Sequence, residues 1–374
     1  MREGIPISTS PKGRLALAAV KEFGAHAFDE VTVGELAAAA DVTTGALYHH
    51  FGSKLGLYDF VRKDVEQRLL DRMEGAIAAS APASDRPVAV MAAKTAFAAG
   101  KMTLAIHQNT SAGAGYRGSL EGWSRAGIKY VELTNGLLDE FLKTDSLAAA
   151  RRVLTDLGLT PVSGACGVGG LWEPNPNHAA ALENFKKRCE MFATLGLTRI
   201  YSPTGTTQKF TQDDYKIGAA NMREVGEIAK QFGMTAMAEA VRTSTFISTL
   251  PTLLRMTREA AHPNMAPLLD FYHFWSGANK LEDLDLIRPR EIGHVHFQDV
   301  PDMPRELLDN TTRFIPGDGI SPLTQILRKL ANKEYAGPLS VELFLPKFQQ
   351  GDPFEVAREI RQKAETVMRK ARVM

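Results

Sequence analysis

Apolar positions recur along this chain at two different periods. Between Ser10 and Phe23 the period is helical: Leu15, Ala18, Ala19 and Phe23 share one face, and Ser10 followed by Pro11 makes an N-cap and first-turn pair. Thr32 and Glu35 form a T-x-x-E capping box, which fixes the start of a second short helix running to Ala40. After a turn at Asp41 and Val42, Thr43 can cap a third helix, "TTGALYHHF", whose exposed face offers hydroxyls, a tyrosine and histidines. Two short helices joined this way predict a helix-turn-helix, in which one helix braces and the next presents small polar groups to the major groove.

From Met102 onward the two periods alternate. Short strand-like runs ending in polar residues occur at 103–107 (TLAIH), 129–133 (KYVEL), 161–165 (PVSGA), 198–202 (TRIYS), 235–239 (TAMAE), 267–271 (PLLDF), 293–297 (GHVHF) and 339–343 (LSVEL), with amphipathic helical stretches between them. Their starts fall 26 to 46 residues apart, which suits strand-helix units of about 30 residues. Eight such units predict an α/β protein whose strands close into a (β/α)8 TIM barrel, preceded by a small all-α helix-turn-helix domain. An open doubly wound sheet is the rival, but it rarely carries eight equivalent units, and no glycine-rich phosphate fingerprint follows the first strand. The stretch "AASAPASDRP" (78–87) has neither pattern and reads as a linker, followed by an apolar helical stretch from Val88 to Gly100. The expected division is therefore a helix-turn-helix domain over 1–79, a linker and connecting helix over 80–100, and the barrel over 101–374.

Charge changes the picture for the first domain. The whole chain carries 44 Lys plus Arg against 43 Asp plus Glu, so it has no global bias toward nucleic acid or acidic lipid. Residues 1–95 hold 11 basic against 12 acidic side chains. Phosphate contacts dominate nonspecific affinity, so a single module would bind DNA weakly, and a homo-oligomer, most simply a dimer, is expected. Cys166 and Cys189 have neither metal-ligand nor disulfide-scaffold spacing and predict free thiols in a reducing compartment. Without an apolar signal run or an uninterrupted apolar stretch of about 20 residues, a cytoplasmic protein with no membrane partner is expected.

A barrel places its chemistry at the C-terminal ends of its strands. Glu239 ends the fifth run and Asp270 the sixth, while His296 lies late in the seventh and Glu342 late in the eighth. Period-2 alternation puts His294 and His296 on one face, with His296 nearer the mouth. Four ionisable groups converging inside an apolar barrel are costly unless a cation neutralises them. Three carboxylates and one imidazole make an oxygen-rich set suited to Mn²⁺ or Mg²⁺, with Co²⁺, Zn²⁺ and Fe²⁺ as alternatives. His294 reads as a hydrogen-bonded histidine behind the ligands or in the core. His107 and His178 show no partner pattern and receive no role.

Two families are resembled. "TVGELAAAADVTTGALYHHFGSKLGLYDFV" resembles the N-terminal domain of TetR-type repressors, with the Tyr-x-x-Phe-x-x-Lys run at Tyr48, Phe51 and Lys54 as its signature. The resemblance implies that Thr43, Thr44, Tyr48 and His49 approach DNA, with Lys54 on phosphate. Ala27 departs from the glycine usual there, and the helical ligand-binding domain that should follow is missing. "AEAVRTSTF", "LLDFYHFW", "GHVHFQDV", "RFIPGDG" and "YAGPLSVELF" together resemble the xylose-isomerase-like barrels of the sugar isomerase/epimerase superfamily, over roughly residues 101–370. That superfamily includes 3-epimerases of tagatose and psicose, inosose isomerases and dehydratases, and 3-dehydroshikimate dehydratases. The resemblance implies Glu239, Asp270, His296 and Glu342 as metal ligands, His273 as a substrate contact and Arg313 as an anion- or hydroxyl-binding group. The endonuclease IV branch needs extra histidines on strands two and three and an Asp-x-His pair; here strand two ends in Glu132, strand three reads "VSGAC", and no such pair exists.

The expected chemistry is proton transfer beside the carbonyl of a small polyhydroxy ketone of the sugar, inosose or 3-dehydroshikimate type. A metal ion stabilises the enediolate, and Glu239 and Glu342 serve as base and acid. Epimerisation, isomerisation and dehydration all fit these residues. The loops "GACGVGGLWEPNPN" and Pro301–Pro322 are the expected substrate filters, and Trp172 either stacks on a ring or packs within its loop. A sugar-responsive regulator using the barrel as its sensor is the competing reading, and a fusion relic that aids assembly is the third.

Overall fold

The structure is a computed structural model that describes residues 10–26, 28–62, 64–65 and 101–374. Ala27 and the linker and connecting helix expected over 80–100 lie outside the described residues. The chain divides into two compact units, Met1–Ala96 and Phe97–Met374.

The first unit is built from helices α1 (Pro11–Ala25), α2 (Val33–Ala39) and α3 (Thr44–Phe51), with residues 54–62 also helical. Its starts are where the capping chemistry puts them. The Ser10 hydroxyl accepts the Gly13 N–H at 3.0 Å. Thr32 and Glu35 close their box reciprocally at 3.2 and 2.8 Å, and Thr43 accepts from Ala46 at 3.3 Å. Between α2 and α3 the chain turns through Asp41 at φ 51°, a left-handed conformation that Asp tolerates better than most residues. Leu15, Ala19, Leu36, Leu47, Leu57 and Val61 form the small core.

The second unit is a closed barrel of eight parallel strands in sequential order: β1 (Thr103–His107), β2 (Tyr130–Thr134), β3 (Thr160–Ala165), β4 (Arg199–Pro203), β5 (Thr235–Glu239), β6 (Met265–Asp270), β7 (His294–His296) and β8 (Pro338–Val341). Each falls within two residues of its sequence-based limits. The sixth run was expected to include Phe271. It stops at Asp270, whose side chain accepts the His273 N–H at 2.7 Å and so opens a short helix, Phe271–Ser276. Alternate residues divide the strands between two environments. Ile106, Val131, Ile200, Ala236, Val295 and Val341 face the surrounding helices in the main core, whereas Tyr201, Met237 and Leu268 form a separate apolar layer inside the barrel. Above that layer the interior turns polar, and that change positions the site.

The amphipathic helix Pro353–Ala371 crosses the helix Gly115–Arg125 so closely that a Cβ on Gly122 would lie 2.5 Å from Pro353 Cβ and 2.9 Å from the Phe354 nitrogen. Gly122→Ala should lower barrel stability by about 2 kcal/mol through overpacking, whereas Gly118→Ala, whose Cβ would meet Ala114 at 3.4 Å, should be neutral or slightly stabilising. Thermal or denaturant melts of the two variants check this, and equal midpoints would contradict it.

Candidate active site

Strand geometry alone delivers the acids. Glu239 and Asp270 are the last residues of β5 and β6, His296 is the last of β7, and Glu342 follows β8 directly. One ligand atom from each of Glu239, Asp270, His296 and Glu342 lies within 4.8 Å of every other, and all four residues are buried. His296 Nδ1 faces the carboxylates of Glu239 at 3.1 Å and of Asp270 and Glu342 at 3.4 Å each. Its Nε2 points the other way, 3.2 Å from Glu132 on β2. The ring hydrogen-bonds through Nδ1 to Glu239, and Nε2 lies in ion-pair range of Glu132 without forming a hydrogen bond, so a cation among the three acids would take the place of the Nδ1 proton. The donor set therefore fits a divalent ion: three hard oxygens and one imidazole nitrogen around one point.

Glu132 also meets His294 Nε2, at 3.1 Å. The two histidines do share the inward face, and His294 is hydrogen-bonded to Glu132 behind the candidate ligands. Burial would raise the Glu132 carboxyl, but His294 and His296 outweigh it and hold the group well below the usual range. Burial likewise opposes the charge on His296, and Glu132, Glu342 and Glu239 overcome it, raising the imidazole well above its ordinary value. Glu239 behaves differently: burial pushes its carboxyl up to about 7. Asp270 stays well below the usual range because Arg313 and His273 outweigh its burial. Of these groups Glu239 lines a cavity of about 690 Å³, whose wall also includes Asn109, Asn135, Tyr201, His273, Arg313 and Glu342.

Arg313 comes from the loop after β7 and is only 2% exposed. Its guanidinium lies between the rings of Tyr272 and Phe344, at 5.1 and 5.0 Å. Nη1 donates to Asp270 and Glu342 at 2.8 Å each, and Nη2 to His273 Nε2 at 3.1 Å. Arg313, expected to bind an anion or a hydroxyl, gives Nη1 to two candidate ligands and Nη2 to His273 and Asn310, while its buried Nε–H has no hydrogen-bond partner. Burial lowers the His273 imidazole to about 4 and keeps it neutral. What holds the loop is Asp299, the acid that ends "GHVHFQD". It exchanges backbone hydrogen bonds with Phe314 at 2.9 and 3.0 Å. Its carboxylate accepts the N–H groups of Val300, Gly317, Gly319 and Ser321 at 2.9–3.0 Å.

Sequence reasoning missed Glu132, His107, Tyr201 and Asp299. His107 ends its strand-like run and Glu132 is the last but one of its own, and applying the strand-end rule to all eight runs finds them. Trp172 resolves to the loop-packing alternative: it is 1% exposed and donates Nε1–H to the Ser202 carbonyl at 3.2 Å. His178 braces the same loop through Gly170 at 3.0 Å. Both cysteines are free and buried. In the first unit Thr43, Thr44, Tyr48 and His49 are exposed, with the Thr43 hydroxyl used in the α3 cap. Lys54 turns inward. Its ammonium donates to the Phe28 and Val31 carbonyls at 2.9 Å and sits 4.2 Å from the Phe28 ring centroid, so at least two of its three donors are used inside the module.

A family model for xylose isomerase-like TIM barrels matches residues 121–370, and one for bacterial regulatory proteins of the tetR family matches residues 16–60. The chain is 26% identical over 235 residues to an inosose isomerase of Halalkalibacterium halodurans, covering 62% of this chain and 83% of the relative. It is 29% identical over 129 residues to a 3-dehydroshikimate dehydratase of Bacillus anthracis, covering 33% and 45%. Among solved structures, the IolI protein with a bound zinc atom superposes with a TM-score of 0.67 at 23% identity, over 72% of this chain and 99% of the other. An L-ribulose 3-epimerase does so with 0.58 at 20%, over 72% and 96%. These two share the fold. Among the described residues no helix is long and apolar enough to cross a membrane.

Asp299→Ala should orphan four N–H donors and cost about 3 kcal/mol, concentrated in the loop that carries Arg313. Hydrogen exchange at Gly317 and Gly319 should accelerate well before the barrel strands exchange; unchanged protection there would contradict the assignment.

Proposed function

Because the chain belongs to the xylose isomerase-like TIM barrels, we propose that its barrel is a divalent-metal-dependent isomerase, epimerase or dehydratase that moves a proton beside the carbonyl of a small polyhydroxy ketone. The observation that carries this reading is the meeting of Glu239, Asp270, His296 and Glu342 within 4.8 Å at the C-terminal mouth. Mn²⁺ or Mg²⁺ suits that oxygen-rich set best, and the zinc held by the IolI protein is consistent with the same class of ion. When bound, the ion supplies Lewis acidity to the ketone oxygen. The chain's own residues do the proton work. Glu239 and Glu342 come from strands that are not neighbours in the closed barrel and both reach the cavity, one to take the α-proton and the other to return it.

The charges also point to the kind of ketone. Three ligand carboxylates are balanced by a doubly charged ion together with Arg313, which leaves no surplus positive charge for a substrate carboxylate. Among the described residues of the cavity wall, Arg313 is the one arginine or lysine, and Glu140 adds a further acid. The neutral remainder, Asn109, Thr134, Asn135, Tyr201 and Asn310, suits hydroxyl groups. An uncharged inosose or ketose is therefore preferred over 3-dehydroshikimate.

A panel of ketoses, inososes and 3-dehydroshikimate followed by NMR in deuterated water with Mn²⁺ tests both statements. Exchange should appear at one carbon of a neutral ketone, at least about tenfold faster than for the carboxylate. Glu342→Gln should slow it about 10²–10⁴-fold. No exchange across the panel with metal demonstrably bound would overturn the enzymatic reading.

A second reading belongs to the first unit. The exposed Thr44, Tyr48 and His49 on α3, in a stretch that matches the tetR family, support DNA binding by a pair of modules. A gel-shift assay with DNA from upstream of its own gene should show a complex lost on Tyr48→Ala; a strictly monomeric chain without a shift would remove this reading.

A further inference from the structure

The barrel interior holds one aromatic hydroxyl beside the acids that the proton-transfer scheme leaves without a task. Tyr201 lies in the middle of β4, is 4% exposed and lines the cavity. Its ring stands edge-on to His296, with centroids 5.0 Å apart and planes at 80°. Its hydroxyl is 3.0 Å from His107 Nε2.

The direction of that hydrogen bond is set on the far side of His107. The backbone N–H of Asn109 donates to His107 Nδ1 at 3.2 Å, so Nδ1 carries the lone pair and the neutral ring carries its proton on Nε2. Burial lowers the His107 imidazole and keeps it neutral. Nε2–H then points at the phenol oxygen, with Glu342 Oε1 a more distant 3.5 Å away. A phenol oxygen that accepts from histidine still has its own proton to give, and no described residue accepts it. The same tautomer removes the lone pair that His107 would need as a ligand, which argues against a second ion among His107, Glu132 and His296, although their ligand atoms also lie within 4.8 Å.

We propose that Tyr201 is a catalytic residue that donates its hydroxyl proton in a hydrogen bond to the substrate oxygen that gains negative charge during enolisation, and that His107, held by the Asn109 backbone, is the positioning residue that orients it. A donor fixed beforehand beside a developing oxyanion acts on the transition state more than on substrate binding. The proposal rests on the enolisation reading above.

The test uses the full chain loaded with Mn²⁺ and the neutral ketone that exchanges fastest. Tyr201→Phe should bind Mn²⁺ with unchanged affinity by calorimetry and lower kcat for exchange about 10²-fold, with little change in KM. His107→Gln should also lower kcat, but adding it to Tyr201→Phe should cost little more, because the donor it orients is already gone. Exchange by Tyr201→Phe at the unsubstituted rate, or strictly multiplicative losses in the double variant, overturns the proposal and leaves the enolisation reading standing. No exchange by the unsubstituted protein overturns both. Should Tyr201→Phe lose its fold or its metal, fluorotyrosine at 201, which keeps the shape and acidifies the phenol, decides: a changed exchange rate supports donation and an unchanged one overturns it.

Discussion

Burying four carboxylates, Glu132, Glu239, Asp270 and Glu342, in one barrel interior is the constraint around which this molecule is arranged. Each is nearly or fully inaccessible, and an uncompensated buried charge is among the most destabilising features a fold can carry. The compensation comes from several directions. Glu132 is taken up by two histidines of β7, Asp270 by Arg313, Gln298 and the start of its own helix, and Glu342 by Arg313. Glu239 is met by His296. What remains after these pairings is an excess of carboxylate oxygen around His296 Nδ1, and the proposed ion and its chemistry follow from that excess.

The same compensation explains features that look unrelated to catalysis. Arg313 reaches the acids only because the loop after β7 is folded back, and Asp299 folds it by gathering four backbone N–H groups. The rings of Tyr272 and Phe344 cover the guanidinium, so water does not dilute its pairings. Glu132 lies 3.2 Å from His296 Nε2 on the side away from the other three acids. In this sense the walls of the site are held by the charges they enclose, and removing one partner exposes the others to the full cost of burial.

Much of this was readable along the chain. Period-2 runs at regular spacing gave eight strands to within two residues, and the strand-end rule placed Glu239, Asp270, His296 and Glu342 together. The helix caps at Ser10, Thr32 and Thr43 were equally plain, because capping is local chemistry between residues three apart. What escaped was non-local. Glu132 on β2 meets His294 and His296 on β7 across the barrel, and His107 on β1 meets Tyr201 on β4, pairings that exist only once the cylinder closes. Arg313 is expected to bind an anion or a hydroxyl, and the sequence carries no sign that Asp270 and Glu342 also meet its Nη1. Lys54 was expected on phosphate, and only the fold shows the Phe28 and Val31 carbonyls within its reach.

Anomalous diffraction from crystals grown with Mn²⁺ tests the central claim most directly. A single strong peak is predicted, bonded at about 2.0–2.4 Å to His296 Nδ1 and to one oxygen each of Glu239, Asp270 and Glu342. Its appearance should leave Glu132 on the Nε2 side of His296. No peak at the mouth of the barrel, or one held instead by His107 and Glu132, would contradict the account.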